Sequence, residues 1–110
     1  MTGELGTSGV VGVTGDIDLI RTQVKALREL ASDPDQAQDS ARVYDFSIRW
    51  GVLLSGRLQR LAYYHRRGEL TQDEQARYAE LRSELREVLP LVERLGLGRP
   101  AVSLGDSVPR

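Results

Sequence analysis

SIRWGVLLSGRLQRLAYYHRR, residues 47–67, is the stretch whose reading decides the fold. It holds the single tryptophan (Trp50) and single histidine (His65) of the chain, two glycines, five arginines and no acid. Such a segment is either a structural helix with gaps in its surface or a basic aromatic strip that grips a partner. The flanking sequence separates the two.

Placed on a helical wheel at about 100° per residue, the segment and its N-terminal extension show two apolar arcs. Phe46, Trp50, Leu53, Leu54, Leu61 and Tyr64 form the main one, and Tyr44, Ile48, Gly51, Leu58 and Ala62 form a second. One neighbouring helix needs one stripe, whereas two neighbours need a wide one. Helical patterns on either side supply those neighbours. Upstream, Ile17, Ile20, Val24, Leu27 and Ala31 recur at three and four behind Asp16, an N-cap candidate. Downstream, Thr71 and Glu74 make a capping box ahead of Tyr78, Leu81, Leu85, Val88, Val92 and Leu95, a heptad-like seam.

The long pattern begins at Pro34, whose missing N–H is harmless at a first helical position behind Asp33, and ends at Gly68. Unbroken, it spans roughly 50 Å at ~1.5 Å per residue. Gly96 and Leu97 resemble a Schellman stop for the last helix, and Pro90 inside it predicts a kink. The expected fold class is therefore all-α: a three-helix antiparallel bundle with a long central helix and flexible termini. The expected helices lie at about 16–31, 34–67 and 71–95 within a folded body over 15–98, with flexible tails over 1–14 and 99–110.

Bulk properties agree with one soluble domain. The chain has 110 residues, 40% hydrophobic and 28% charged, with a formal net charge of −1. No global field favours nucleic acid or an anionic membrane, so such a partner needs a local patch. The absence of cysteine excludes disulfides, thiolate metal sites and a cysteine nucleophile. No stretch reads as a signal peptide or a membrane span, which makes the cytoplasm the expected location.

Within the strip, Ser47, Gly51 and Ser55 lie four apart and read, together with Trp50, as a helix-packing face on which the first helix seats closely. Arg42, Arg49, Arg60 and Arg67 share one edge. In an antiparallel pair with the last helix, register sets Arg67 near Asp73 and Arg60 near Glu80, which accounts for the arginines without a ligand. Arg57 falls inside the apolar arc and needs a carboxylate, with Glu84 the partner by register, unless its stem snorkels to the edge. His65, in the last turn, suits an imidazolium near the helix dipole.

The alternative is a recognition face for a partner or an anion made of Arg49, Arg57, Arg60, Tyr63, Tyr64, His65, Arg66 and Arg67, with tyrosines to stack and arginines to hold phosphate or carboxylate. No catalytic constellation, metal-ligand set or cofactor motif converges: His65 stands alone, and GVVGVTG at 9–15 lacks the Lys-Ser/Thr of a P-loop. The sequence thus predicts a non-catalytic helical protein–protein interaction module of regulatory or assembly type. Its partner would be another protein or a second copy, with a homodimer favoured by apolar surface left at Leu19, Leu30 and Leu91. A nucleic-acid or nucleotide-binding accessory factor is the alternative.

Overall fold

The computed structural model describes residues 11–102 and residue 104, and among them every regular element is helical. In chain order these are α1 (Val13–Ser32), the single-turn α2 (Pro34–Ala37), α3 (Ser40–Leu53), a π-helical turn (Leu54–Leu58), α4 (Gln59–Arg66) and α5 (Gln72–Arg94). No helix among the described residues is long and apolar enough to cross a membrane.

α1 begins earlier than its apolar period suggests. Gly12 is the cap, in a left-handed conformation (φ 89°) that favours glycine, and Val13 is already core at 1% exposure. Asp16 is therefore not the cap. It lies inside the first turn, where a negative charge complements the helix dipole. Ile17, Ile20, Val24 and Leu27 are buried as the period requires, and Leu30, expected to remain exposed, joins them.

The segment read as one helix from 34 to 67 is interrupted twice. Asp33 caps α2 through Asp35 N at 3.0 Å, with Pro34 at the first position. A second cap then intervenes: the Asp39 carboxylate accepts from Ala41 N and Arg42 N, so the chain restarts as α3. The second interruption is the π turn. Phe46, Trp50, Leu54 and Leu58 are buried at a strict spacing of four. In a regular α-helix each such step drifts by about 40° around the axis. The wider turn at Leu54–Leu58 absorbs that drift and brings Leu58, Leu61 and Ala62 onto the core side. Gly56, which the wheel leaves unexplained, sits in this turn, exposed.

α5 carries the capping box, with Thr71 accepting from Glu74 N and Glu74 accepting from Thr71 N. Tyr78, Leu81, Leu85, Val88 and Val92 are buried, and Pro90 lies on an exposed face of an uninterrupted helix. Both α4 and α5 stop at left-handed glycines, Gly68 and Gly96. Glu69 N donates to Tyr64 O, and Leu97 N donates to Val92 O. These are the six-to-one bonds of the Schellman motif.

α1 packs most extensively against α5, and it also lies against α3, the π turn and α4. The most centrally placed helix is thus the first, not the long second pattern. Cross-links between α1 and α5 join Arg21 to Glu84, Arg28 to Glu87 and Arg94 to the Ala31 carbonyl. The expected tails fall partly outside the described residues. Inside them the chain is structured: the Trp50 indole donates to Gly98 O at 2.7 Å, and Val102 and Leu104 pack against the core.

Candidate functional site

The arginine edge divides into groups with different fates. Arg57, in the π turn, donates to Asp16 Oδ1 at 2.6 Å, and Arg60, opening α4, donates to Asp16 Oδ2 and to the Val11 carbonyl. The expected partners Glu84 and Glu80 are not used, because Glu84 is taken by Arg21 from α1. Asp16 is only 3% exposed, so two arginines meeting one buried carboxylate satisfy a need of the fold. Arg60 further lies over the Tyr64 ring at 5.2 Å.

Arg67 bonds Glu69 at 2.8 Å and covers Tyr63 at 5.4 Å. Asp73, its expected partner, instead pairs with Arg77 one turn along its own helix. Local partners win in both cases because the turn at Gly68 brings Glu69 back under Arg67 and because an i, i+4 pair needs no tertiary register. Three of the strip's arginines, Arg57, Arg60 and Arg67, are therefore engaged within the chain. Arg49 and Arg66 are exposed and have no acidic partner among the described residues.

The Ser47–Gly51–Ser55 face has a different outcome from the expected seat. A methyl group placed on Gly51 meets nothing within 4 Å outside its own helix, so among the described residues no helix is seated against it. Trp50, by contrast, is buried and stacks on Phe46 at 5.9 Å. Beside Gly51 stand Tyr44, Ile48 and Val52, exposed at 64%, 50% and 65%. The reason is the π turn. It swings the second apolar arc inward from Leu58 onward and leaves its N-terminal half pointing away from α1. On the flank of this stripe, Asp45 and Arg49 lie one turn apart, both exposed and neither paired among the described residues.

A third surface lies between α4 and α5. His65 packs on Tyr78 at 5.1 Å, and the Arg82 guanidinium lies over the same ring at 4.8 Å. With Ala62 and Arg66 these residues line a cavity of about 230 Å³. Burial, then the positive charges of Arg82 and Arg66, holds the His65 imidazole below its ordinary value of 6.5. The helix C-terminus does not win here, and His65 is neutral at neutral pH. Burial also raises the Tyr78 phenol above 10.0, against the same two arginines.

The Arg82 Nε is buried without a hydrogen-bond partner. Sequence reasoning missed Arg82 because it followed the strip of one helix. The available signal was its position one turn after Tyr78, on the flank of the α5 seam. No group of three or more His, Asp or Glu able to hold a metal converges among the described residues. No protein-family model, curated protein or solved structure matches this chain.

Proposed function

We propose that this chain is a small non-catalytic helical module for protein–protein contact, of regulatory or assembly type, that pairs with a second copy of itself through α3. The observation that carries the reading is the Tyr44–Ile48–Val52 stripe. Three large apolar side chains on successive turns are half or more exposed beside a glycine with open space above it. The scaffold beneath is an antiparallel three-helix bundle in this reading. Support comes from the α1–α5 cross-links, whose residue numbers rise together, as they do for the first and third helices of an up–down–up arrangement.

Charge selects a second copy as the occupant. In a two-fold antiparallel helix pair, equal flanks meet, as e meets e and g meets g in an antiparallel coiled coil. Centred near Ser47 and Ile48, the pair sets Asp45 against Arg49 of the other copy, and Arg49 against Asp45. The two unpaired charges answer each other twice. Gly51 lets the backbones approach. Engagement of Arg57, Arg60 and Arg67 by acids of the same chain leaves the nucleic-acid reading with few free cations.

Sedimentation velocity across a concentration series tests the reading. The wild type should show a dimer at high micromolar concentration, Ile48→Glu should be monomeric, and its thermal melting should hold at a concentration where the wild type is monomeric. Asp45→Arg should weaken the dimer, and Asp45→Arg with Arg49→Asp should restore it. A wild type that remains monomeric overturns the proposal.

A further inference from the structure

The cavity between α4 and α5 is unrelated to the α3 stripe and combines features that point to a ligand. Arg66 comes from α4 and Arg82 from α5, so two guanidinium groups of different helices line one cavity of about 230 Å³. Arg66 has no acidic partner among the described residues, and the Arg82 Nε is buried without any partner. The charges that act on His65 and Tyr78 are those same two arginines, with no carboxylate among them. Elsewhere in this fold arginines near the interior find acids, as Arg57 and Arg60 find Asp16. Here two positive charges converge without one.

A second cavity, of about 450 Å³, shares Ala62 and Arg66 with the first and is walled by Tyr63, Ala101 and Val102. Gln59 also lines it, and Arg66 borders both cavities, so a ligand held at Arg66 has the Tyr63 side of α4 beside it.

We propose that the cavity at Arg66 and Arg82 binds a small phosphomonoester, with its phosphoryl group held by the two guanidinium groups and its organic part extending past Arg66 toward Tyr63. A phosphomonoester carries about −1.5 to −2 charges at neutral pH, so it matches two guanidinium groups where a carboxylate matches one. Planar guanidinium donors suit phosphate oxygens. His65 lines the same cavity, and its proton affinity, lowered by burial and by these arginines, rises when an anion offsets its cationic neighbours.

The test is an NMR titration of the full chain with phenyl phosphate, then with inorganic phosphate and benzoate, at constant ionic strength. His65 ring protons report the site. Phenyl phosphate should shift them saturably and raise the His65 pKa. Inorganic phosphate should do the same at higher concentration, and benzoate should bind more weakly than phenyl phosphate. Arg66→Gln, an exposed position, should weaken phenyl phosphate binding by roughly tenfold or more, the equivalent of one charge-assisted hydrogen bond. Arg82→Gln should do likewise with its helical circular dichroism retained, and Arg49→Gln should bind as the wild type does. Three results would each overturn the proposal: no saturable shift at His65, benzoate binding as tightly as phenyl phosphate, or Arg49→Gln losing as much affinity as Arg66→Gln.

Discussion

The Asp16 carboxylate receives Arg57 at 2.6 Å through one oxygen and Arg60 through the other. This contact fastens the first turn of α1 to the π turn and to the start of α4. Asp16 is 3% exposed, whereas the arginine side chains retain 50% and 36% of their surface. The two ends of the interaction therefore respond differently to mutation.

Asp16→Ala frees both arginines, which can turn to water. The expected loss is about 2–3 kcal/mol, below the usual range for breaking a fully buried pair because the cations are half-solvated. Arg60→Ala leaves Asp16 buried with Arg57 alone and also removes the bond to the Val11 carbonyl. Urea unfolding should place both variants well below the wild type, and Asp16→Ala with Arg60→Ala should cost less than the sum. Additive losses would show that the two residues stabilise the fold independently.

The C-terminal segment is part of the folded body. The Trp50 indole donates to Gly98 O at 2.7 Å, Leu97 is 6% exposed, and Arg86 donates to the Leu104 carbonyl. Limited proteolysis should therefore protect the chain to about residue 104 and not stop at 98. Trp50→Phe should cost about 1–2 kcal/mol, from one lost hydrogen bond and a small cavity, and should open the segment to cleavage near Gly98.

Stability should also depend on pH through His65. Its folded pKa lies below 6.5, chiefly through burial and secondarily through Arg82 and Arg66. Folding thus favours the neutral imidazole. The contribution is fully present above about pH 6.5 and is lost as pH falls through the lowered folded value. His65→Gln should flatten the melting temperature in that window relative to the wild type, leaving only the carboxylates to act at lower pH. An unchanged slope would show that His65 ionises alike in the folded and unfolded chain.

The helical character of the chain was legible because its apolar periods are strong and its stops are chemically explicit. Thr71–Glu74, Gly68 and Gly96 each do what their residue type dictates. The errors came from interactions that periodicity does not encode. A carboxylate side chain at Asp39 restarts a helix that the pattern carries straight through. A run of four-residue spacings reads as a wide apolar surface on a regular wheel, yet the chain resolves it with a π turn. That single change moves Leu58 and Ala62 inward, leaves Tyr44 and Ile48 outside, and aims Arg57 and Arg60 at Asp16. The cavity at Arg66 and Arg82 was invisible for another reason: it joins two helices whose facing register no short-range rule supplies.

Gly51 separates the isolated chain from its proposed assembly. A methyl group there meets no neighbour within 4 Å outside its own helix, and the position lies inside α3. Gly51→Ala should therefore stabilise the monomer by roughly 0.5–1 kcal/mol, the difference in helix propensity, as read from chemical unfolding at low protein concentration. Gly51→Leu should be tolerated by the monomer for the same reason, although it would be overpacked if another helix of this chain were seated there. Between two copies the outcome reverses. A leucine side chain projecting beside Ile48 would separate the paired α3 helices, so Gly51→Leu should raise the dimer dissociation constant while leaving monomer stability intact. Monomer melting that drops sharply in Gly51→Leu would place a packed helix over this face. Unchanged dimerisation would move the interface away from α3.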